Sequence, residues 1–461
     1  MVALSSRSLE YSSRVAERVI TRIRAWQVFI VSLTLRLVAN RVRGGQPVVY
    51  TENLKAGFTL AKHGYLGDPF RLPTGPTAHL SPAYPVLVAA VRGLTPSDAI
   101  CVRVLSIVLA VVTSANIAAL VPVSRALGLP RGSGAIAAII WVIPCFFWIE
   151  LSAEHETPLT VLALLALVTV IVHTAGTARA TLATGAKLGL VAGVAAYFTP
   201  LTLPAGALTT VVAARLCRWS VRGWLITFTA ALFSFAVVIA PYTLRNYRDF
   251  GAWFFMRDNF GLELAVSNGP TARATMDENE EAGGSMTDHP FHSKRGAEEL
   301  RSVGEIAYNH QRERAAFDWI ESQPRAFLTL VIQRAGYLVL PYSNRPSQIA
   351  VAGGIALAAI AGGVLLWRSR YRFGIQCLTG ALAGYLFVYL IVQQQMRYTY
   401  PALFLESLIV GSGVAVLLRR FSDRRGQDQA RGAFGRAASA PRNCNECCSV
   451  DRSRVRLLCP S

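Results

Sequence analysis

Apolar stretches broken by short polar connections make up most of the chain. Approaching the scale of a bilayer-crossing helix, about 15 to 20 residues, though several are short, they fall at Trp26–Ala39, Val104–Val121, Ala135–Trp148, Leu159–Val172 and Leu188–Phe198. Five more follow at Leu201–Leu216, Trp224–Ile239, Ile349–Trp367, Phe373–Ile391 and Ala402–Leu418. The pattern predicts an all-α polytopic membrane protein with about ten transmembrane helices. Two long connections interrupt it, Asn40 to about Arg103 and Pro241 to about Gln348.

The first long connection has structure of its own. "TENLKAGFTLAKHGYLGDPF", from Thr51, sets Leu54, Phe58, Leu60 and Ala61 near helical spacing, with Thr51 as a cap and Gly64 as a stop. This predicts a short helix lying on the membrane surface. "RLPTGPTAHLSP" is a loop constrained by Pro73, Gly75, Pro76 and Pro82, and "AYPVLVAAVRGL" is a second amphipathic helix too short to span. In the second connection the acidic run "DENEEAGGS" predicts a mobile cover. The following "GEIAYNHQRERAAFDWIESQPRAF" predicts a surface helix returning to the membrane, serving acceptor binding, lid closure or simple packing.

Basic residues give the orientation, because Lys and Arg are retained on the cytoplasmic side. They gather at Arg14, Arg18, Arg22 and Arg24, at Arg125 and Arg131, at Arg179 and Lys187, at Arg215, Arg218 and Arg222, and at Arg368, Arg370 and Arg372. The tail from Arg419 belongs with them. Every second connection is basic, which puts both ends in the cytoplasm and both long connections outside it. Residues 1–24 are then a cytoplasmic segment, 25–418 the membrane unit and 419–461 a basic, disordered tail. The first 20 residues are polar and no small-residue cleavage site follows the first span, so that span is expected to be an uncleaved anchor. The setting is expected to be a bacterial inner (plasma) membrane.

Composition agrees: 52% of the 461 residues are hydrophobic and only 16% charged, below the share of about 25% usual in soluble domains. The net charge of +19 reads as topology and contact with anionic membrane lipids, not as nucleic-acid binding. Cys101, Cys145, Cys217 and Cys377 lie in or beside spans as small apolar residues. The tail cysteines Cys444, Cys447, Cys448 and Cys459 suggest metal or acyl attachment, yet no His or second CxxC pair completes a zinc site. No internal repeat is visible.

The cytoplasmic connections are too short to fold a nucleotide-binding domain, and neither a glycine-rich phosphate loop nor a DxD pair occurs. Chemistry at this protein must use a substrate reachable from the far side of the membrane, where ATP and nucleotide sugars are absent. A lipid-carried donor meets that restriction.

Four fragments then stand in a telling order: "ENLKAGFTLAKHGYLGDPF", "GPTAHLSPAYPVLVA", "APYTLRNYRDFG" and "QMRYTYPALFLESLIVG". In them the chain resembles the integral-membrane glycosyltransferases that use polyprenyl-phosphate sugars, specifically family 39, with its protein O-mannosyltransferases and bacterial aminoarabinose transferases. The likeness extends over most of the chain outside the first 20 residues and the tail. It implies a catalytic acid early in the first extracytoplasmic loop, a sugar donor on a polyprenyl phosphate, an extracytoplasmic acceptor (lipid, glycan or protein) and a second loop closing over the site.

Glu52 stands at the position of that acid. Inverting sugar transfer needs a base for the acceptor's proton, although a glutamate at a helix start is also favoured by the macrodipole alone. Much of the family has two adjacent acids here, whereas this chain has Thr51-Glu52-Asn53. A second carboxylate would come from Asp68, Glu154 or Glu156. A divalent metal is a possible cofactor, and Glu154, His155 and Glu156 are its candidate ligands, against the alternative of a polar helix terminus. For the phosphate of the leaving group the candidates are Arg245 and Arg397, each equally able to snorkel. His79 and Asp68 are further candidate substrate-binding residues, Asp68 equally a turn former. Arg36 and Glu406 lie within spans and are expected to face the bundle interior, pairing with each other.

Two other functions fit the same scaffold. A transporter or lipid flippase would line a midplane path with charged or broken helices, often in repeated halves. A non-enzymatic envelope-assembly subunit would carry no chemistry at all.

Overall fold

The computed structural model describes residues 19–42, 48–142, 146, 150, 155–177, 180–283, 289–343 and 345–438, with side chains up to 421. Glu154, the tail cysteines and most of the N-terminal segment lie outside them. The membrane half comprises α1 (Ala25–Val42), α2 (Glu52–His63), α3 (Ala83–Gly93), α4 (Asp98–Ala126), α5 (Ser133–Ile140), α6 (Thr157–Thr177), α7 (Leu182–Phe198), α8 (Thr202–Leu216) and α9 (Val221–Phe250). The second long connection forms α10 (Phe260–Ser267), α11 (Met276–Glu281), α12 (Lys294–Val303), α13 (Glu305–Ser322) and α14 (Pro324–Val339). The chain closes with α15 (Pro346–Leu366), α16 (Arg372–Leu386), α17 (Val388–Ile391) and α18 (Met396–Ala438).

No strand occurs among the described residues. Among the described residues six helices are long and apolar enough to cross a membrane: α4, α6, α9, α15, α16 continued by α17, and α18 as far as Phe421. The other four apolar runs overlap helices, but α7 has 17 residues, α8 has 15 and α5 has 8, ending at Ile140, while α1 carries Arg36 and Arg41. Small residues bring neighbours close, as membrane packing requires where no water drives helices together. A side chain at Gly185 or Gly189 of α7 would collide with the backbone carbonyls of Thr227 or Ala231 on α9.

The bundle interior contains a buried ion pair. Arg36 and Glu150 are both fully buried and meet at 2.6 Å. Arg36 also donates to Ser32 one turn earlier on α1, and Tyr400 on α18 donates to Glu150 at 2.8 Å. Trp141 stacks on Phe404 beside them, with ring centroids 4.0 Å apart. The expected partner, Glu406, is therefore not the one found. The face of α1 that carries Ser32 and Arg36 looks toward Trp141 and Glu150, whereas Glu406 turns to a groove bounded by α15 and α16.

Outside the bundle, α2 forms as its sequence suggests. Thr51 is in the extended N-cap conformation without a side-chain capping bond, Glu52 opens the first turn, and Gly64 ends the helix at φ 77° with its N–H on Leu60 O. Leu54, Ala56 and Gly57 are buried, and Gly57 lets α2 cross α3, since a Cβ there would strike Val88. The loop that follows closes on itself: Asp68, at φ 55°, accepts from Thr74 N, Gly75 N and the Tyr65 hydroxyl.

The second connection docks on the first. Phe70 packs with Leu262, Val266, Leu300 and Tyr308, and Arg71 donates to His292 O. The acidic run expected to be mobile instead begins in α11. A reciprocal capping box joins Thr275 and Glu278, and buried Asn279 donates to Gln393 at 2.7 Å. Charge alone suggested disorder, but the T-x-x-E spacing and one buried amide outweigh it; residues 284–288 lie outside the described set.

Candidate active site

Position 52 is the first residue of α2, where unsatisfied backbone N–H groups favour a carboxylate. The Glu52 side chain is 25% exposed and its Oε1 lies 3.4 Å from His79 Nε2 and 4.0 Å from His289 Nε2. Phe70 sets its ring edge-to-face against both imidazoles, with centroids 5.0 and 6.2 Å away. Burial alone would raise the Glu52 carboxyl, yet His79, His289 and Arg397 together hold it down to about 2. Burial likewise opposes charge on His79, but the Glu52 carboxylate prevails and raises the imidazole above its ordinary value. At His289 burial wins and lowers it. The centre thus sets an ionised carboxylate between two histidines shifted in opposite directions, His79 toward and His289 away from the charged form.

His79 is held by contacts from three remote segments. Glu305 at the head of α13 accepts from Thr77 Oγ1 at 2.7 Å and Ala78 N at 2.6 Å. Arg257 donates to His79 O at 2.7 Å, and Asp258 N donates to Ala78 O. Arg245, a candidate phosphate ligand, spends its guanidinium on the same loop, donating to Thr77 O and Leu66 O while its Nε pairs with Asp249 at 2.7 Å. Asp68 is likewise committed to its own turn. The structure brings Glu52, His79 and Arg397 together and leaves Arg245 and Asp68 as supports for the loop between them.

Arg397, in the first turn of α18, donates to the Tyr398 hydroxyl at 2.9 Å and lies 3.0 Å from His155 Nδ1. It lines a cavity of about 290 Å3 together with Glu156, Arg257, Glu263 and Tyr398, with Tyr385 and Tyr389 forming part of the wall. Asn53, next to Glu52, donates to Glu156 at 2.8 Å and so links α2 to this cavity. Polar groups converging on an aromatic-walled cavity are what a small, hydroxyl-rich or anionic ligand requires.

The candidate metal ligands were Glu154, His155 and Glu156, of which Glu154 lies outside the described residues. His155 meets Arg397 and Glu156 accepts from Asn53, and the two are not among the residues whose ligand atoms cluster at metal-like spacing. Among the described residues the set with metal-like spacing is Glu52, His79 and His289, whose ligand atoms all lie within 4.8 Å of one another. Its surroundings fit a metal poorly. Phe291 N donates to His289 Nδ1, so in the neutral ring the proton sits on Nε2, the nitrogen that a cation would need. Arg397 adds a positive charge nearby.

Sequence reasoning missed His289 and Glu305. The first sits in "DHPFHS", where two histidines flank a Pro-Phe pair; the second follows Gly304 directly, a helix start like that of Glu52. No protein family and no curated protein matches this chain.

Glu305 gives the site a measurable pH signature. Burial lifts its carboxyl to about 7, against the opposing pull of Thr77, His79 and Ala78. A raised acid stabilises the fold fully below the unfolded value of 4.5 and loses that contribution as pH rises through about 7. Thermal stability is therefore expected to decline between pH 4.5 and 7 in the native chain and to be flatter there in Glu305→Gln. Glu52 acts in the opposite sense in a separate window, its stabilisation being lost as pH falls from 4.5 through about 2. Parallel stability–pH curves for the two chains from pH 4.5 to 7 would refute this role for Glu305.

Proposed function

We propose that the protein transfers a sugar from a polyprenyl-phosphate carrier to an extracytoplasmic acceptor, with Glu52 receiving the acceptor's proton. The observation that carries this reading is the ionised carboxylate of Glu52 beside a cavity whose wall holds Arg397. An acceptor hydroxyl hydrogen-bonded to Glu52 attacks the anomeric carbon, the bond to phosphate breaks on the opposite face, and the lipid phosphate leaves toward Arg397. The charge developing on that phosphate is the one a guanidinium stabilises best.

A carboxyl held near 2 is a weak base at rest, and donor binding alters that. Arg397 is one of the charges depressing Glu52, and a bound phosphate offsets it. The carboxylate then becomes more basic as the donor arrives, while His79 keeps it ionised until proton transfer. Proton transfer late in the reaction, once the acceptor oxygen has bonded to the sugar, suits such a base.

The direct test is sugar transfer by the purified full chain in lipid, using a pool of polyprenyl-phosphate sugars. Absence of turnover or binding with every member of the pool would refute the assignment. A narrower test falls on Arg397. Arg397→Ala is expected to weaken donor binding roughly ten- to a hundredfold, the worth of a charge-assisted hydrogen bond, and Arg397→Lys to restore only part of it, since ammonium lacks the planar fork. Unchanged donor affinity in a folded Arg397→Ala protein would remove Arg397 from the phosphate site.

A further inference from the structure

On the membrane face of the bundle, away from Glu52, a groove of about 850 Å3 runs between α14, α15, α16 and α18. Its walls are largely aliphatic, including Ala359, Ile360 and Leu382, and Ile360 and Val364 are exposed on its outer rim. Arg368 and Arg420 stand at one end, with Trp367 beside them. Tryptophan next to arginine at helix ends marks headgroup depth. Along α18, Glu406 lies ~21 Å from Arg420 at 1.5 Å per residue. It is 7% exposed, and its Oε2 has no hydrogen-bond partner among the described residues.

We propose that this groove binds an anionic diacyl phospholipid, with an acyl chain along the aliphatic wall and the phosphate between Arg368 and Arg420. The charge pattern selects this occupant: two guanidiniums at the mouth complement a phosphate, and the walls behind them complement hydrocarbon. Basic pockets between transmembrane helices recognise anionic headgroups in this way. The dimensions agree, because the hydrocarbon of one leaflet is about 15 Å deep, so a chain anchored at Arg420 ends short of Glu406. The inference is independent of sugar transfer, since neither arginine touches the Glu52 cavity.

The test is retention of lipid by the purified full chain after reconstitution in vesicles of equimolar phosphatidylglycerol and phosphatidylcholine, read by native mass spectrometry. The native chain is expected to retain phosphatidylglycerol with a preference of roughly thirtyfold, from two interfacial arginines. Arg368→Gln with Arg420→Gln should bring the preference close to one. Arg370→Gln with Arg372→Gln, which removes equal charge nearby without touching the groove, should leave it intact. Equal retention of both lipids by the native chain would overturn the proposal. So would a preference that survives loss of Arg368 and Arg420, or one that falls equally in both double variants, the mark of diffuse surface charge.

Discussion

Glu52→Gln is expected to lower turnover by about a hundredfold or more while leaving donor binding within a few-fold of the native chain. The amide keeps the size of the side chain beside His79, so the change removes little but the negative charge and the ability to take a proton. His79, raised by the Glu52 carboxylate, should lose that support and fall toward neutrality. The pH–rate profile should therefore change along with its height. Glu52→Asp retains charge but withdraws it by one methylene from the histidines, and partial activity is expected. Asp68→Asn serves as the contrast: Asp68 acts within its own turn, so its effect should fall on stability. Near-normal turnover in Glu52→Gln would show that proton acceptance lies elsewhere. Loss of donor binding in that variant would make Glu52 a binding residue.

The second large effect is structural. Removing either partner of the Arg36–Glu150 pair strands a charge among Trp141, Phe146 and Tyr400, at a cost of about 3–5 kcal/mol. Arg36→Ala and Glu150→Ala should each unfold at markedly lower temperature in lipid or detergent. A joint replacement, Arg36→Met with Glu150→Leu, should recover most of the loss, because two apolar side chains of similar volume avoid the desolvation that both ions suffer. Single variants that melt with the native chain would mean that the pair contributes nothing to stability.

Hydrophobic patterning located the long apolar helices, because burial in lipid or in the bundle leaves runs that survive any uncertainty about neighbours, yet only six of its ten runs lie on helices able to cross a membrane among the described residues. The helix at Glu52, its glycine stop and the tight turn at Asp68 were legible, since each is decided by residues a few positions apart. Partners across the fold were not. Thr77 and Glu305 hydrogen-bond across 228 residues, and nothing local to "GPTAHL" announces that link. Arg36 and Glu406 were each recognisable as costly in a span, but their rotational settings on α1 and α18, which decide whether they meet, depend on side chains from other helices. His289 was obscured for a related reason: its segment reads as a polar loop, and only the docking of Phe70 against it brings its ring to the carboxylate.

The suspension of His79 has a consequence for how the protein is made. Glu52 and His79 are synthesised early, whereas Arg257, His289, Glu305 and Arg397 all follow much later. At about 5–20 residues per second, the acid waits tens of seconds before its last positive neighbour emerges. During that interval Glu52 waits for His289 and Arg397, and the loop bearing His79 waits for its tethers from α9 and α13. The site is therefore completed only in a late step, when α18 brings in Arg397, and a ribosome-stalled fragment ending before Arg397 would carry the acid without the guanidinium and the Tyr398 wall that α18 gives the neighbouring cavity.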